Sequence, residues 1–473
     1  MENLTQHLLY LNVFICIITG IVLSVCIKQR PHLLIKPSII YLLFFYILIQ
    51  IPATLHASVF LDELENWYDY LLLVQLYPLT AAIISSLTFH DTTKRIWERI
   101  GKDNLSFDHG IASFYFLFVL VITGAYLYHV GPQNTGIYAI IFGTPAQAAL
   151  ARESSLKTLD SAAMRYSYSL LGSALAPVLV VLLSLHVKDC WRKDWPGVIV
   201  GIAGVIACFI AVSFPGHRWG PMLIVFAVFV SFQYRTHFRN LRWKHCVGFF
   251  TALSLIMIAW TARREGVDFF NLGLSGSLDY FFATKSDGIQ GWAKGGLFWA
   301  TVYRVFVDHM KSGLDYVQYV AQNDYLGLAA IPRLAYIMGV PPLDAPNIMN
   351  SYYYPTSIVK TGSYTTGFVF AYYSYFGIVS VLLSLVLTGL VDGCILLYDH
   401  LDNSLILPVV TTVSVASINL VGAEFFGSLL THGLLSSIVL ALGIQALYRF
   451  YLTAVLMPGA KANSKRPAGG EPR

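Results

Sequence analysis

Apolar residues run along this chain in long blocks separated by short polar stretches. About 20 consecutive apolar residues suffice to cross a bilayer. Eleven such blocks can be drawn, near 8–27, 37–55, 70–89, 111–130, 166–187, 195–214, 220–234, 245–261, 375–398, 405–421 and 431–451. The block at 220–234 is the shortest. Backbone amides in lipid must be satisfied within the segment, which selects helices over open strands. The pattern predicts an all-α polytopic membrane protein of about 11 transmembrane helices. The regular spacing breaks once, at 262–374, where amphipathic pieces, many tyrosines and the turn "GVPPLDAPN" replace the apolar blocks. Four regions follow: a bundle over 1–261, the long segment 262–374, the C-terminal spans over 375–451, and a polar tail over 452–473 ending "KANSKRPAGGEPR", expected to be disordered. No internal repeat is visible.

Composition agrees with that pattern. The chain is 56% hydrophobic and 12% charged, with mean hydropathy +0.62, whereas soluble domains carry about 25% charged residues. The placement of charge says more than its total. Lys28, Arg30 and Lys36, then Lys94, Arg95, Arg99 and Lys102, then Lys188, Arg192 and Lys193, then Arg235, Arg239, Arg242 and Lys244 fill every second loop. With Arg449, Lys461, Lys465, Arg466 and Arg473 they make 19 of the 31 basic residues. The positive-inside rule puts these loops in the cytoplasm, the N-terminus outside and the C-terminus inside. The first 27 residues hold no Lys or Arg, so no leader with a basic n-region is expected. The six cysteines lack the spacing of a zinc site or a redox pair.

The segment 262–374 then lies outside, and it holds Arg263, Arg264, Lys285, Lys294, Arg304, Lys311, Arg333 and Lys360. Arginine on that side runs against the charge bias, and its planar donor fork suits phosphate oxygens. In "ATVYRVFVDHM" the residues Val302, Val305, Phe306 and Met310 recur at helical spacing. The element is expected to lie on the outer surface or to pack into the bundle as a re-entrant helix. Arg304 and Asp308 stand four apart, which is also the spacing of a helix-surface ion pair. His309, the one histidine of the segment, suits general-base work near neutral pH, as a carboxylate such as Asp308, Asp315 or Asp324 also could. Glu424 and His432 sit at span ends in "GAEFFGSLLTHG". The tyrosines of "NSYYYP" and its surroundings suit sugar binding, and an interfacial aromatic belt explains the same placement. The sequence holds no Asp-x-Asp pair, no P-loop and no H-E-x-x-H, and its basic loops are too short for a nucleotide-binding domain. No metal or cofactor is expected, and nucleic acid is not an expected partner. An outward-facing enzyme of this kind would draw its energy from a lipid-linked donor.

From Arg304 to Gly393 the chain resembles the oligosaccharide repeat-unit polymerases, the Wzy-type O-antigen polymerases. The residues concerned are "YRVF", then "YLGLAAIPR", then "PTSIVKTGSYTTGFVFAYYSYFGIVSVLLSLVLTGLVDG". Tyr373, Phe376 and Gly377 match the family's aromatic approach to an apolar span. Ser380 stands where a second glycine is common, and "GFVFAYY" lacks the acidic residue that often precedes it. The resemblance implies a C-type membrane glycosyltransferase related to the O-antigen ligases. It implies polymerisation of undecaprenyl-diphosphate-linked repeat units on the periplasmic side of a bacterial inner membrane, among membrane lipids and with a chain-length regulator protein as partner. Arg304 and Arg333 take the diphosphate-binding role by motif, and Arg263 and Arg264 by location. His309, or else Asp308, is the expected base, although the reaction could proceed without one. Tyr353, Tyr354 and Tyr364 are the expected sugar-binding residues. Two other readings compete. A second C-type architecture would use Asp62 or Glu63 in "LDELE"; a transporter or lipid-sugar flippase would show repeated halves and midplane charges.

Overall fold

In the computed structural model, residues 2–57, 67–101, 107–144, 147, 150–151, 159, 161–217, 219–239, 242–264, 282, 296–303, 307–355 and 366–456 are described. Among them the regular structure is entirely helical. Nine helices are long and apolar enough to cross a membrane: Gln6–Gln29, Pro37–Leu55, Trp67–Leu87, His109–Val130, Ala162–Cys190, Trp195–Ser213, Val379–Tyr398, Asn403–Val421 and Ser436–Ala454. They match nine of the eleven expected blocks. The other two coincide with Trp219–Arg235 and Trp243–Arg264. Trp219–Arg235 has 17 residues and is about 26 Å long, short of a bilayer core of about 30 Å. It nevertheless runs the depth of the bundle. It follows Phe214 at one end; at the other, Tyr234 donates to the Leu34 carbonyl at 2.6 Å and Arg235 pairs with Asp189 at 3.2 Å.

Three spans share a local device. The turns Tyr46–Gln50, Leu71–Leu76 and Leu171–Leu175 are π-helical, and each is followed within two residues by a proline: Pro52, Pro78 and Pro177. Proline lacks an amide hydrogen and crowds the carbonyl four residues back. Widening the preceding turn relieves that clash without breaking the span.

Polar contacts gather at two rims. On the first, Arg95 pairs with Asp399, Arg449 pairs with Asp402, and Arg99 donates to the Leu401 carbonyl at 2.9 Å. Trp97 stacks on His237 there with ring centroids 4.5 Å apart. On the second rim, Tyr373 meets Asp69, Tyr372 meets Glu424, Tyr166 donates to the Leu430 carbonyl, and the Ile137 amide donates to the Phe214 carbonyl. Counted along the eleven apolar blocks of the sequence, every pair on the first rim joins chain that follows an odd number of blocks, and every pair on the second chain that follows an even number. The first is the rim of the basic loops.

Lys36, which the sequence places with the loop charges, is instead fully buried at that rim, 4.0 Å from an equally buried Asp392. Its ammonium donates to the carbonyls of Ser85, at 2.7 Å, and of Thr88. Asp392 accepts from the Ser38 hydroxyl at 2.7 Å and the Ser38 amide at 3.2 Å. One charge pair thus ties together the start of the second span, the end of the third and the end of Val379–Tyr398. Deeper in, Gln50, Gln75, Thr54 and Thr19 bond side chain to side chain, linking the first three spans. At the C-terminus the last helix continues through Leu456, so residues 452–456 belong to it and not to the tail.

Candidate functional site

One helix of the long segment is packed against the bundle. His309–Gln322 buries Met310, Leu314 and Val317, one helical face, together with Gly313 and Val320. That face packs on Phe368–Phe376, where residues 368 to 375 are all buried. Gly313 permits the approach: a Cβ there would stand 2.7 Å from the Phe370 ring. The expected element, "YRVFVDHM", overlaps this helix only at its end, and residues 304–306 lie outside the described residues. Phe368–Phe376 also moves the start of the next span. The sequence drew that span from 375, whereas the chain turns at Gly377, with φ +62°, before the spanning helix begins at Val379. The missing second glycine is Ser380, which is fully buried in the first turn of the span.

The second-rim residues converge on the connection between the last two spans, residues 422–435. The His309 ring lies 3.1 Å from where a Cβ on Gly422 would stand. Glu424 caps the helix Phe425–Leu430, one oxygen accepting from the Gly427 amide at 2.9 Å and the other from the Tyr372 hydroxyl at 3.0 Å. Arg333, exposed at the start of Pro332–Ile337, donates from Nη1 to the Phe426 carbonyl at 3.1 Å. The turn is tied to the bundle behind it, because Ser169 and Ser173 donate to the Thr431 carbonyl. Gly433, with φ +95°, lies so close to the Ser173 carbonyl that a Cβ would stand 2.1 Å from it. Only glycine closes this turn.

Burial lowers the pKa of His309 from its ordinary 6.5, so its ring is neutral at pH 7 and able to accept a proton. His432 is lowered by burial as well. Tyr372 and Tyr373 are both pushed up, first by burial and then by the carboxylates they touch, Glu424 and Asp69; the Tyr373–Asp69 bond is 2.5 Å long. Asp308 is exposed at the head of its helix, and Lys311 pairs with Asp315 at 3.0 Å. Tyr353 donates to the Asp315 carbonyl at 2.7 Å, so its hydroxyl is engaged by the protein. Tyr354 is exposed beside it.

The other expected site residues are placed as follows. Arg304 and Tyr364 lie outside the described residues, as do Asp62 and Glu63. Arg263 and Arg264 end the helix Trp243–Arg264, and their side chains are likewise outside the description. The structure therefore brings His309 and Arg333 against one turn and does not report on Arg304. Sequence reasoning undervalued Glu424 and did not pair Asp69 with Tyr373. Tyr372 and Tyr373 of "FAYY" meet carboxylates from distant parts of the chain, a relation that linear spacing does not carry.

No protein-family model matches the chain, and neither a curated protein nor a solved structure is similar to it.

The neutral imidazole sets an expected pH profile. If His309 takes the proton, activity is full above pH 6.5, where the ring is neutral, and falls only as pH drops through its lowered pKa. The acid limb of kcat/KM, which reports the unliganded protein, should have its midpoint below 6.5, and His309→Gln should remove that limb along with most of the rate. An unchanged limb in His309→Gln would assign the proton to another group.

Proposed function

We propose that the protein joins lipid-linked oligosaccharide repeat units into a longer glycan at the second rim, as a metal-independent membrane glycosyltransferase of the C type. The observation that carries this reading is the connection 422–435, which gathers a neutral histidine, an exposed guanidinium and a tyrosine-bound carboxylate on the rim opposite the basic loops. By the positive-inside rule that rim is periplasmic in a bacterial inner membrane, the N-terminus is periplasmic and the C-terminus cytoplasmic. Undecaprenyl-diphosphate carriers present their sugars on that side.

The reaction forms one glycosidic bond and breaks one. An acceptor hydroxyl on the incoming unit attacks the anomeric carbon of the donor. The bond from that carbon to the diphosphate oxygen breaks, and undecaprenyl diphosphate leaves with the electron pair. His309 takes the hydroxyl proton, with Asp308 as the other candidate. Negative charge grows on the diphosphate as it leaves, and arginine forks held there lower the barrier. Arg304 and Arg333 fill that role, with Arg263 and Arg264 near the end of their helix; Tyr353, Tyr354 and Tyr364 line the sugar path.

Deletion of the gene in its own host tests the reading. The expected surface glycan is a single capped repeat, because units are still made and transferred without being joined. Loss of all attached glycan, with polymer accumulating on the lipid carrier, would make the protein a ligase. A surface stripped of the glycan, with single units trapped on the cytoplasmic side, would make it a transporter.

A further inference from the structure

The run Leu334–Leu343, "LAYIMGVPPL", carries no charge between Arg333 and Asp344. It forms a closed loop, since the Leu343 amide donates to the Ala329 carbonyl at 2.8 Å. Ala330, Ile331 and Ala335 are buried at its base, while its apex turns large apolar side chains outward: Tyr336 is 73% exposed, Ile337 81% and Met338 46%. Gly339, with φ +68°, makes the reversal there. An apex of this kind in water would be a standing liability.

Its foot shows what covers it. The amides of Leu326 and Gly327 donate to the carbonyls of Ser374 and Tyr375, at 2.9 and 3.1 Å, and the Tyr325 hydroxyl sits 2.6 Å from where a Cβ on Gly377 would stand. Directly after Gly377 the spanning helix begins, and Ile378, Leu382, Val386 and Leu390 are each about 60% exposed. Four apolar residues at i, i+4, i+8 and i+12 on a membrane span form a lipid-facing stripe. Tyr325, beside Gly377 at the head of that stripe, and Leu328 are both about half exposed.

We propose that residues 325–343 are a membrane-seated lip, with Tyr336, Ile337 and Met338 resting in the interfacial region of the leaflet on the second-rim side. The occupant is bulk bilayer lipid. Tyrosine at headgroup depth and an uncharged apex suit that layer. This surface does not depend on the reaction proposed above.

The test is spin-label accessibility on the full-length protein in vesicles of phosphatidylethanolamine and phosphatidylglycerol without polyisoprenoid. Labels go on Ile337→Cys and, independently, Tyr336→Cys, with the six native cysteines of the unsubstituted protein as background. Leu382→Cys is the lipid control and Ser351→Cys the water control. Oxygen should reach the labels at 336 and 337 more readily than a nickel chelate does, as at 382, with the reverse at 351. Nickel dominating at 336 and 337 while 382 still reports lipid would place the lip in water. Shielding from both reagents would mean that protein covers it. Lipid-like values appearing only after a polyisoprenyl diphosphate is added would make a carrier tail the occupant. Each of these three results overturns the proposal.

Discussion

Asp392→Ala is expected to lower the unfolding free energy by roughly 3–5 kcal/mol, the usual cost of removing one partner from a buried ion pair. Lys36 and Asp392 are both fully buried. Without the carboxylate, the ammonium is left with the Ser85 and Thr88 carbonyls, and the Ser38 hydroxyl and amide lose their acceptor. The pair itself need not be worth that much, because its desolvation offsets most of its attraction. The double change Lys36→Met with Asp392→Leu should therefore regain most of the loss, since no lone charge remains inside. Reversible unfolding of the detergent-solubilised protein by SDS titration measures both. A loss under about 1 kcal/mol for Asp392→Ala would mean that water or lipid headgroups reach Lys36; a double variant as unstable as Asp392→Ala would mean that the pair contributes net binding.

The largest expected effect on activity is that of Arg304→Ala. If Arg304 holds the donor diphosphate, removing it should cost about a hundred- to thousand-fold in rate, or roughly 3–4 kcal/mol of transition-state stabilisation. Arg304→Lys keeps the charge and loses the planar fork, so it should already impair elongation. A helix-surface pair with Asp308 is worth only about 0.3–0.5 kcal/mol, and on that basis alanine would be tolerated. Glycan length made by membranes with matched protein levels separates the two. Full-length glycan from Arg304→Ala would assign the arginine to the surface pair.

Hydropathy alone located the spans, because burial in lipid demands about 20 apolar residues whatever they touch. The short block at 220–234 coincides with a 17-residue helix whose Tyr234 and Arg235 make contacts at the first rim. Buried pairs were harder to read. Lys36 looks like one more loop charge until Asp392, 356 residues later, is folded against it. The segment 262–374 was ambiguous for a related reason. Val302, Val305, Phe306 and Met310 signal an amphipathic helix, but the same stripe fits a membrane surface or a protein groove. The helix that follows, His309–Gln322, packs Gly313 against Phe370, and a glycine's neighbours across the fold leave no trace in linear order. At the site, His309 and Arg333 stood out as residue types. Their shared support, the turn around Glu424, did not, because the hydrogen bonds that build it join Tyr372, Arg333 and Ser173 to a turn 52, 93 and 258 residues away.

Elongation by the isolated protein tests the central claim most directly. Purified protein in vesicles, given undecaprenyl-diphosphate-linked repeat units and EDTA, should yield a ladder of longer lipid-linked glycans and release undecaprenyl diphosphate, one molecule per bond formed. Units that stay single under those conditions, or that lengthen only when magnesium or manganese is restored, would contradict it.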